Sequence, residues 1–435
     1  MKVFVVGVML ICASVDLQAQ TDAEVRAAVD KVAPRMIEIR EDLHRNPELG
    51  NHENRTAALI AAELRRLGME VRTGVATTGV IGILRSGKPG PVVAIRADMD
   101  ALPVTERSDL PFKSMVRTTY LGREVGVSHA CGHDINVASQ LGVANLLAGM
   151  KDKLTGTVVF IFQPAEEGLP PGETGGAKQM VKEGALTNPK VDLVVGFHDN
   201  ARPPGTPGNT QDLGVVSYSY GPALAAATVF QAKIIGRQAH GSAPENGVDA
   251  ILAASEVITS LQQIRSRNLS PFTPSVITVG VVRAGDRNNI VAGEAYLEGT
   301  TRSFDPVVQD TLESRMRQVF DGVTRAYGAT YTLEFDRTHP VTSNDSALTR
   351  RMIPVIERVV GKNMVREAQP ITGAEDFSYF SQQVPGLFLF IGAVPPGKVS
   401  GGHHTPTFYA DNATIPVAMR VMTAVVLEGL RSPAR

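Results

Sequence analysis

Residues 92–100 read VVAIRADMD, residues 158–167 read VVFIFQPAEE and residues 193–198 read LVVGFH. Each begins as an apolar, largely β-branched run of strand length and ends in a charged or imidazole side chain. Continuous apolar runs fit strands buried on both faces, as in a parallel sheet covered by helices. Working outward, VIGIL (80–84) is separated from VVAIR by the turn sequence SGKPGP. Upstream, Val25, Val29, Val32, Met36, Ile39 and Leu43 recur at steps of four and three, which predicts an amphipathic helix over 22–45 that stops near Pro47. Further helical patterns fall at 54–67, 136–150 and 176–183. Strands alternating with helices predict an α/β fold on a mixed, mostly parallel sheet.

From 218 to 335 the order changes to strand (ATVFQAKII), helix (247–267), strand (PSVITVGVV), strand (EAYLEGTTR), helix (306–327), strand (TYTLEF). That β-α-β-β-α-β order is the ferredoxin-like α+β pattern. The earlier alternation then resumes with ALTRRMIPVIERVV, FLFIG and a helix near 412–430. The expected organisation is a main domain in two segments, 21–217 and 336–435, with a satellite domain, 218–335, inserted between them.

Residues 1–20 read differently. Lys2 precedes the apolar run VFVVGVMLICA, and Ala19 closes the segment before the charged stretch TDAEVR. These are the parts of a signal peptide, and the run is short for a membrane span. The expectation is a periplasmic or secreted protein with no membrane association once the leader is removed. Of the two cysteines, Cys12 lies in the leader, so Cys131 stands alone in the mature chain. It cannot form an internal disulfide, which leaves metal ligation or nucleophilic chemistry as its common employments. Lys+Arg (43) balance Asp+Glu (44), so no basic footprint for nucleic acid exists. Tryptophan is absent, which argues against aromatic stacking platforms and for a small-molecule partner.

The ends of the apolar runs carry the chemistry. VVAIRA runs into Asp98 and Asp100, VVFIFQ into Glu166 and Glu167, and LVVGF into His198. Open α/β sheets bind ligands just past the carboxyl ends of their strands. HACGHD (129–134) opens a helix, and GGHHTP (401–406) follows FLFIG by a loop. Each piece alone has an ordinary reading: a buried thiol beside a structural imidazole, a surface Glu pair, a strand-end Asp that caps a helix. Together they place Asp, Glu, His and Cys on one edge of one sheet, which points to a metal site. Cys131, His133, Glu167, His198 and His404 are too many ligands for one tetrahedral zinc site that keeps a position for water. Two divalent metal ions sharing ligands fit better, and such a centre still needs a base to carry a proton from water to the leaving nitrogen. Glu166 suits that task. Asp98 and Asp100 suit places behind the ligands, accepting the free N–H of an imidazole and fixing its tautomer.

In this order, DLHRNPELG, RADMDALP, HACGHD, FQPAEEG, GGAKQMVKEGAL, GRQAHGSAP, GAEDFSYF and HHTP resemble the metal-dependent amidohydrolases of the aminoacylase and carboxypeptidase clan. The branch most resembled contains hippurate hydrolase and the indole-acetyl-amino-acid hydrolases, and the resemblance covers about residues 22–432. It implies a catalytic α/β domain in two segments with a ferredoxin-like satellite domain that often serves as a homodimer interface. It places metal ligands at Cys131, His133, Glu167, His198 and His404, with His403 the less favoured of the adjacent pair, and the base at Glu166. It further implies that His240 helps hold the substrate carbonyl and that Asn289 and Arg302 face the substrate carboxylate.

Two positions depart from the family pattern. Asn136 stands where a histidine is usual, and Asp199 stands where the residue after the metal-binding His198 is usually apolar. Read as groups at the mouth of the site, both make it more negative, so both enter as candidate substrate-binding residues that disfavour dianionic substrates such as N-acyl-aspartate. The sequence points to an exported hydrolase of N-acyl amino acids or related amides using two divalent ions, zinc or manganese first, nickel or cobalt next. The alternatives are a metallocarboxypeptidase or dipeptidase on the same scaffold, a cysteine-nucleophile hydrolase using Cys131 with His133, and a degenerate binding protein.

Overall fold

A computed structural model describes residues 3–169, 172–203, 205 and 210–431, with side chains from residue 22 onward. The chain forms two compact units. Met1–Gly221, Ser343–Gln369 and Tyr379–Arg435 make the first, and Pro222–Thr342 with Pro370–Ser378 makes the second.

The first unit is built on an eight-stranded sheet. Its strands lie in the order Glu70–Val75, Gly79–Arg85, Thr157–Gln163, Val92–Asp98, Leu193–Asn200, Gly386–Gly392, Val216–Tyr218, Val365–Glu367. The four central strands, Thr157–Gln163 through Gly386–Gly392, are mutually parallel. They are the continuous apolar runs of the sequence, and their side chains are buried on both faces. The helices His133–Gly149 and Thr414–Arg431 pack together, and Gly142 permits the approach, since a Cβ there would meet Met419 side-chain atoms at 2.6–2.8 Å. Ile95, Phe160 and Val195 from the sheet share one core with Val29, Met36, Val143, Leu147, Met419 and Val426 from the helices.

The helix expected from residue 22 is the later part of a longer one, Val3–Arg45, which runs through the segment expected to be a leader. Residues 1–2 of that segment lie outside the described residues. Among the described residues, no helix is long and apolar enough to cross a membrane.

The second unit has a four-stranded antiparallel sheet in the order Ser275–Ala284, Glu294–Ser303, Ala226–Ile235, Thr330–His339. The helices Ala250–Gln263 and Pro306–Tyr327 complete the β-α-β-β-α-β pattern. Both start on an aspartate cap: Asp249 accepts from the Ile251 and Leu252 amides, and Asp305 accepts from that of Val307. Phe230, Leu297 and Leu333 of the sheet bury against Val257, Leu261, Met316 and Phe320 of the helices.

The unit boundaries differ from the expected 218 and 335. Val216–Tyr218 pairs with Gly386–Gly392 and Val365–Glu367, so it belongs to the large sheet. The last satellite strand runs to His339, and Pro370–Ser378 joins the second unit because Ile371 bridges Leu224 and exchanges backbone hydrogen bonds with Ala223 and Ala225. A return segment of nine residues with no apolar period carries no sequence signal of where it docks.

Candidate active site

The parallel topology brings the carboxyl ends of the central strands to one edge of the first unit. Asp98 ends its strand there, Glu166 and Glu167 follow Gln163, and His198 lies near the end of Leu193–Asn200. Two loops close over that edge. Residues 129–132 lead into the helix His133–Gly149, with Gly132 at φ 85° as its cap. The loop after Gly386–Gly392 carries His404, whose backbone N–H donates to Ala130 O at 2.8 Å and so ties the two loops together. His404 sits at φ 62° and Ala165 at φ 52°, a left-handed backbone that costs a non-glycine residue about 1 kcal/mol and clusters at functional sites.

Hydrogen bonds fix the imidazoles. His133 Nδ1 donates to the Asp100 carbonyl at 2.9 Å, with Asp100 Oδ1 at 3.1 Å, and His198 Nδ1 donates to the Asp199 carbonyl at 2.7 Å. A carbonyl only accepts, so in the neutral ring each Nε2 is left with a bare lone pair. His198 Nε2 is 3.5 Å from Cys131 Sγ. His133 Nε2, fully buried and without a hydrogen-bond partner, stands 3.8 Å from Glu167 Oε1 and 4.0 Å from Glu166 Oε2. His404 Nε2 meets Glu167 Oε1 at 3.0 Å. Ligand atoms fall within 4.8 Å of one another in the sets Cys131–His133–His198, Cys131–Glu167–His404 and His133–Glu166–Glu167. The residues expected to bind metal therefore stand together, with Glu166 beside them.

His403 is drawn in differently. The Ala201 amide donates to its Nε2 at 3.1 Å, so its Nδ1 is the protonated nitrogen and faces Cys131 Sγ at 3.5 Å. Its free lone pair is spent on backbone, which favours His404 of the adjacent pair. Asp100 spans both ligand segments, since its Oδ2 also accepts from the Glu167 amide at 3.0 Å.

The electrostatics show surplus negative charge. Burial would depress both histidines, yet Asp98 and Asp100 raise His133 well above the ordinary range and Asp199 raises His198 to about 9. Burial, followed by Glu167, Glu166 and Asp199, pushes the Cys131 thiol well up. Burial would also raise Glu167, but the bond to His404 and the His133 charge hold it low. A buried thiol facing carboxylates yields a thiolate only when a cation joins it, which weighs against Cys131 as a free nucleophile. The donor set thus fits divalent cations: imidazole Nε2 atoms from which a cation displaces the proton, a thiol and carboxylates in mutual reach, with excess anionic charge to neutralise.

Three expectations need correction. Asn136 is fully buried; its Nδ2 donates to Asp98 Oδ1 at 2.8 Å and its Oδ1 accepts from the Asp199 amide at 3.3 Å. Asp199 is also fully buried, its Oδ1 3.3 Å from His198 Nδ1. Both are therefore closed to solvent rather than at the mouth of the site: Asn136 joins Asp98 to the Asp199 backbone, and the Asp199 carboxylate lies beside His198. Asp98 accepts from Arg96 Nη1 at 2.7 Å and from Asn136, while its nearest imidazole nitrogen, His133 Nε2, is 3.9 Å away; it does not accept an imidazole N–H as expected.

The remaining candidates lie in the second unit. His240 sits on the short strand Ala239–His240 opposite Ile290, beside Asn289, whose carbonyl accepts from the Gly241 amide at 2.8 Å. Its Nδ1 accepts from the Ser242 amide at 3.1 Å, which leaves Nε2–H as an exposed donor. Arg302 is on the four-stranded sheet, half-buried, with Nη1 donating to the Thr301 carbonyl at 3.0 Å.

Sequence reasoning missed a buried cluster behind the ligand loop. Asp134 accepts from Arg40 Nε at 2.7 Å and from His44 Nδ1 at 2.8 Å, and His44 Nε2 reaches Glu106 at 3.1 Å. Arg40 and His44 lie on the buried stripe of their helix, and polar residues on an apolar stripe are the signal that could have found them.

A family model described as peptidase family M20/M25/M40 matches residues 94–428. The chain belongs to that family. It is 38% identical over 366 residues to thermostable carboxypeptidase 2 of Saccharolobus solfataricus, across 84% of this chain and 87% of the relative. It is 36% identical over 421 residues to an IAA-amino acid hydrolase of Arabidopsis thaliana, across 96% and 90% of the two. Among solved structures it matches a Bacillus subtilis protein described as a dinuclear metal binding peptidase from the M20 family, with TM-score 0.75 and 30% identity over 92% of this chain and 99% of that one. As a member of peptidase family M20/M25/M40, the protein is a metal-dependent hydrolase.

Proposed function

We propose that the protein hydrolyses the amide bond of N-acyl amino acids or similar conjugates with two divalent metal ions, and that it is exported. The observation that carries the reading is the pair of imidazoles, His133 and His198, with Nδ1 anchored to backbone carbonyls and Nε2 facing Cys131, Glu166 and Glu167. Cys131, His133, Glu167, His198 and His404 are the residues that would hold the ions, zinc or manganese first, nickel or cobalt next. The ions supply Lewis acidity to the scissile carbonyl and acidify a water. Glu166 is assigned the proton: its carboxylate takes one from the attacking water and delivers it to the leaving nitrogen as the C–N bond breaks, giving a carboxylate and an amine. Asp100 orients His133 and, through the Glu167 amide, the loop that carries both glutamates. His240, Asn289 and Arg302 are proposed as substrate-holding residues, and the second unit as a homodimer surface, on the strength of the family resemblance.

A carboxypeptidase on the same scaffold is the second reading, favoured by the likeness to thermostable carboxypeptidase 2. A panel of N-acyl amino acids and of dipeptides with free amines, assayed with elemental analysis before and after chelation, tests both. Hydrolysis of acylated substrates that stops on chelation and returns with Zn²⁺ or Mn²⁺ supports the first reading. Hydrolysis confined to free dipeptides supports the second, and activity untouched by exhaustive chelation defeats both. Export predicts a mature chain beginning near residue 20, and an intact mass from the native host that still includes Met1 would reject it.

A further inference from the structure

Next to the ligand cluster the first unit holds a cavity of about 590 Å³, with Asp100, Glu167 and Gly168 among its lining residues. That volume lies within the range of small-molecule sites. The wall is mixed: Leu49, Leu102, Val116, Leu121 and Val127 give it an aliphatic part, and His52, Thr118, Thr119 and Tyr120 a polar one. Its charges do not suit a carboxylate. Glu48, Asp100 and Glu167 outnumber Arg117, and Arg117 is paired with Glu124 across the hairpin formed by Arg117–Tyr120 and Arg123–Gly126.

The hairpin tip adds an independent observation. Tyr120 pairs with Arg123, so Leu121 and Gly122 form a two-residue turn, at φ 49° and 74°. Such turns demand a left-handed backbone and favour Asn-Gly. Leucine at the first position is strained, and its side chain is 65% exposed, so packing within the chain does not compensate. A strained, exposed leucine on the rim of a cavity that other leucines and valines line has a use if something apolar enters.

We propose that this cavity is the acyl pocket, and that it takes a medium-length alkyl chain extending from the scissile carbonyl, with Leu121 closing over it. The assignment rests on the amide-hydrolase reading given above. The leucines and valines of the wall reward methylenes, and its carboxylates direct the charged amino-acid half elsewhere.

The test compares kcat/KM for N-octanoyl-L-leucine and N-acetyl-L-leucine in wild type, Leu121→Asn and Val116→Trp. Wild type should prefer the octanoyl substrate at least tenfold. Leu121→Asn should cut that ratio about fivefold while leaving the urea midpoint equal or higher, because asparagine tolerates the turn. Val116→Trp, which fills the pocket, should abolish the preference. Turnover of both substrates with an unchanged ratio in both variants overturns the pocket and spares the hydrolase reading. Turnover of neither by metal-loaded wild type overturns the hydrolase reading and the pocket with it.

Discussion

Asn136 Nδ2 donates to Asp98 Oδ1 at 2.8 Å in a place closed to solvent, one helical turn after His133. Asp98 has Arg96 on its other oxygen, so the asparagine completes the coordination of a buried carboxylate. Asn136→Leu strips one oxygen of its donor without relieving the charge, and the expected loss is about 2–3 kcal/mol of unfolding free energy. Urea denaturation of metal-free protein measures it. Because the side chain does not reach substrate, the preference between acyl-aspartate and acyl-leucine should stay as in wild type. A shift in that preference would return Asn136 to the mouth of the site.

The Asp199 carboxylate lies against the Gly132 backbone, where a Cβ would stand 2.1 Å from Oδ1. Gly132 also holds φ 85°. Gly132→Ala therefore meets a collision and a left-handed backbone at once, and Cys131 and His133 flank it on either side. Severe destabilisation and lost metal affinity are expected. In an Asp199→Ala background the collision is gone, and the same change should cost only about 1 kcal/mol, the left-handed term alone. Equal penalties in the two backgrounds would show that the carboxylate yields freely.

Glu166 and Glu167 are neighbours with separate assignments. Glu167 Oε1 lies 3.0 Å from His404 Nε2 and 3.8 Å from His133 Nε2, among the ligand atoms. Glu167→Gln should lose both metal content and rate. Glu166→Gln should keep metal while turnover falls by roughly 10²–10⁴, the range for a positioned acid–base group. Elemental analysis beside kcat separates them, and matched metal loss in both variants would mean the roles are wrongly divided.

The central strands were legible because VVFIFQ and LVVGFH are apolar throughout, which only burial on both faces explains. Glu70–Val75 and the hairpin over Arg117–Gly126 were not, since EVRTGV and RTTY read as polar loop when only one face packs. The convergence of Glu166, Glu167 and His198 followed from where strands end, and that of Cys131, His133 and His404 from the helix-opening segment and the loop after FLFIG. The placing of Asn136 and Asp199 did not. Side-chain direction at a strand terminus alternates residue by residue, and adjacency to His198 in sequence carried no information on whether Asp199 faced solvent or the Gly132 loop.

Glu53, which holds the backbone just before Glu166 and Glu167, supplies a pH test of its own. Its Oε1 accepts from the Ala165 amide at 2.9 Å and its Oε2 from Thr78 Oγ1 at 2.5 Å, yet the side chain is wholly buried. Burial, with Asp100 nearby, outweighs those bonds and pushes the carboxyl up to about 7. An acid whose value is raised on folding keeps its proton in the native state after the unfolded chain has released it. Between the ordinary carboxyl range and pH 7 the native state therefore binds more protons, and stability falls as pH rises. At about 1.4 kcal/mol per unit, the loss approaches roughly 3 kcal/mol by neutrality. Glu53→Gln keeps an oxygen for the Ala165 amide and offers an N–H to Thr78, but it cannot ionise. In metal-free protein the variant should match wild type near pH 4.5 and exceed it by about 2–3 kcal/mol at pH 7.5 in urea denaturation. A stability difference that does not change between those two pH values would mean that Glu53 ionises in the folded protein as it does in the unfolded chain.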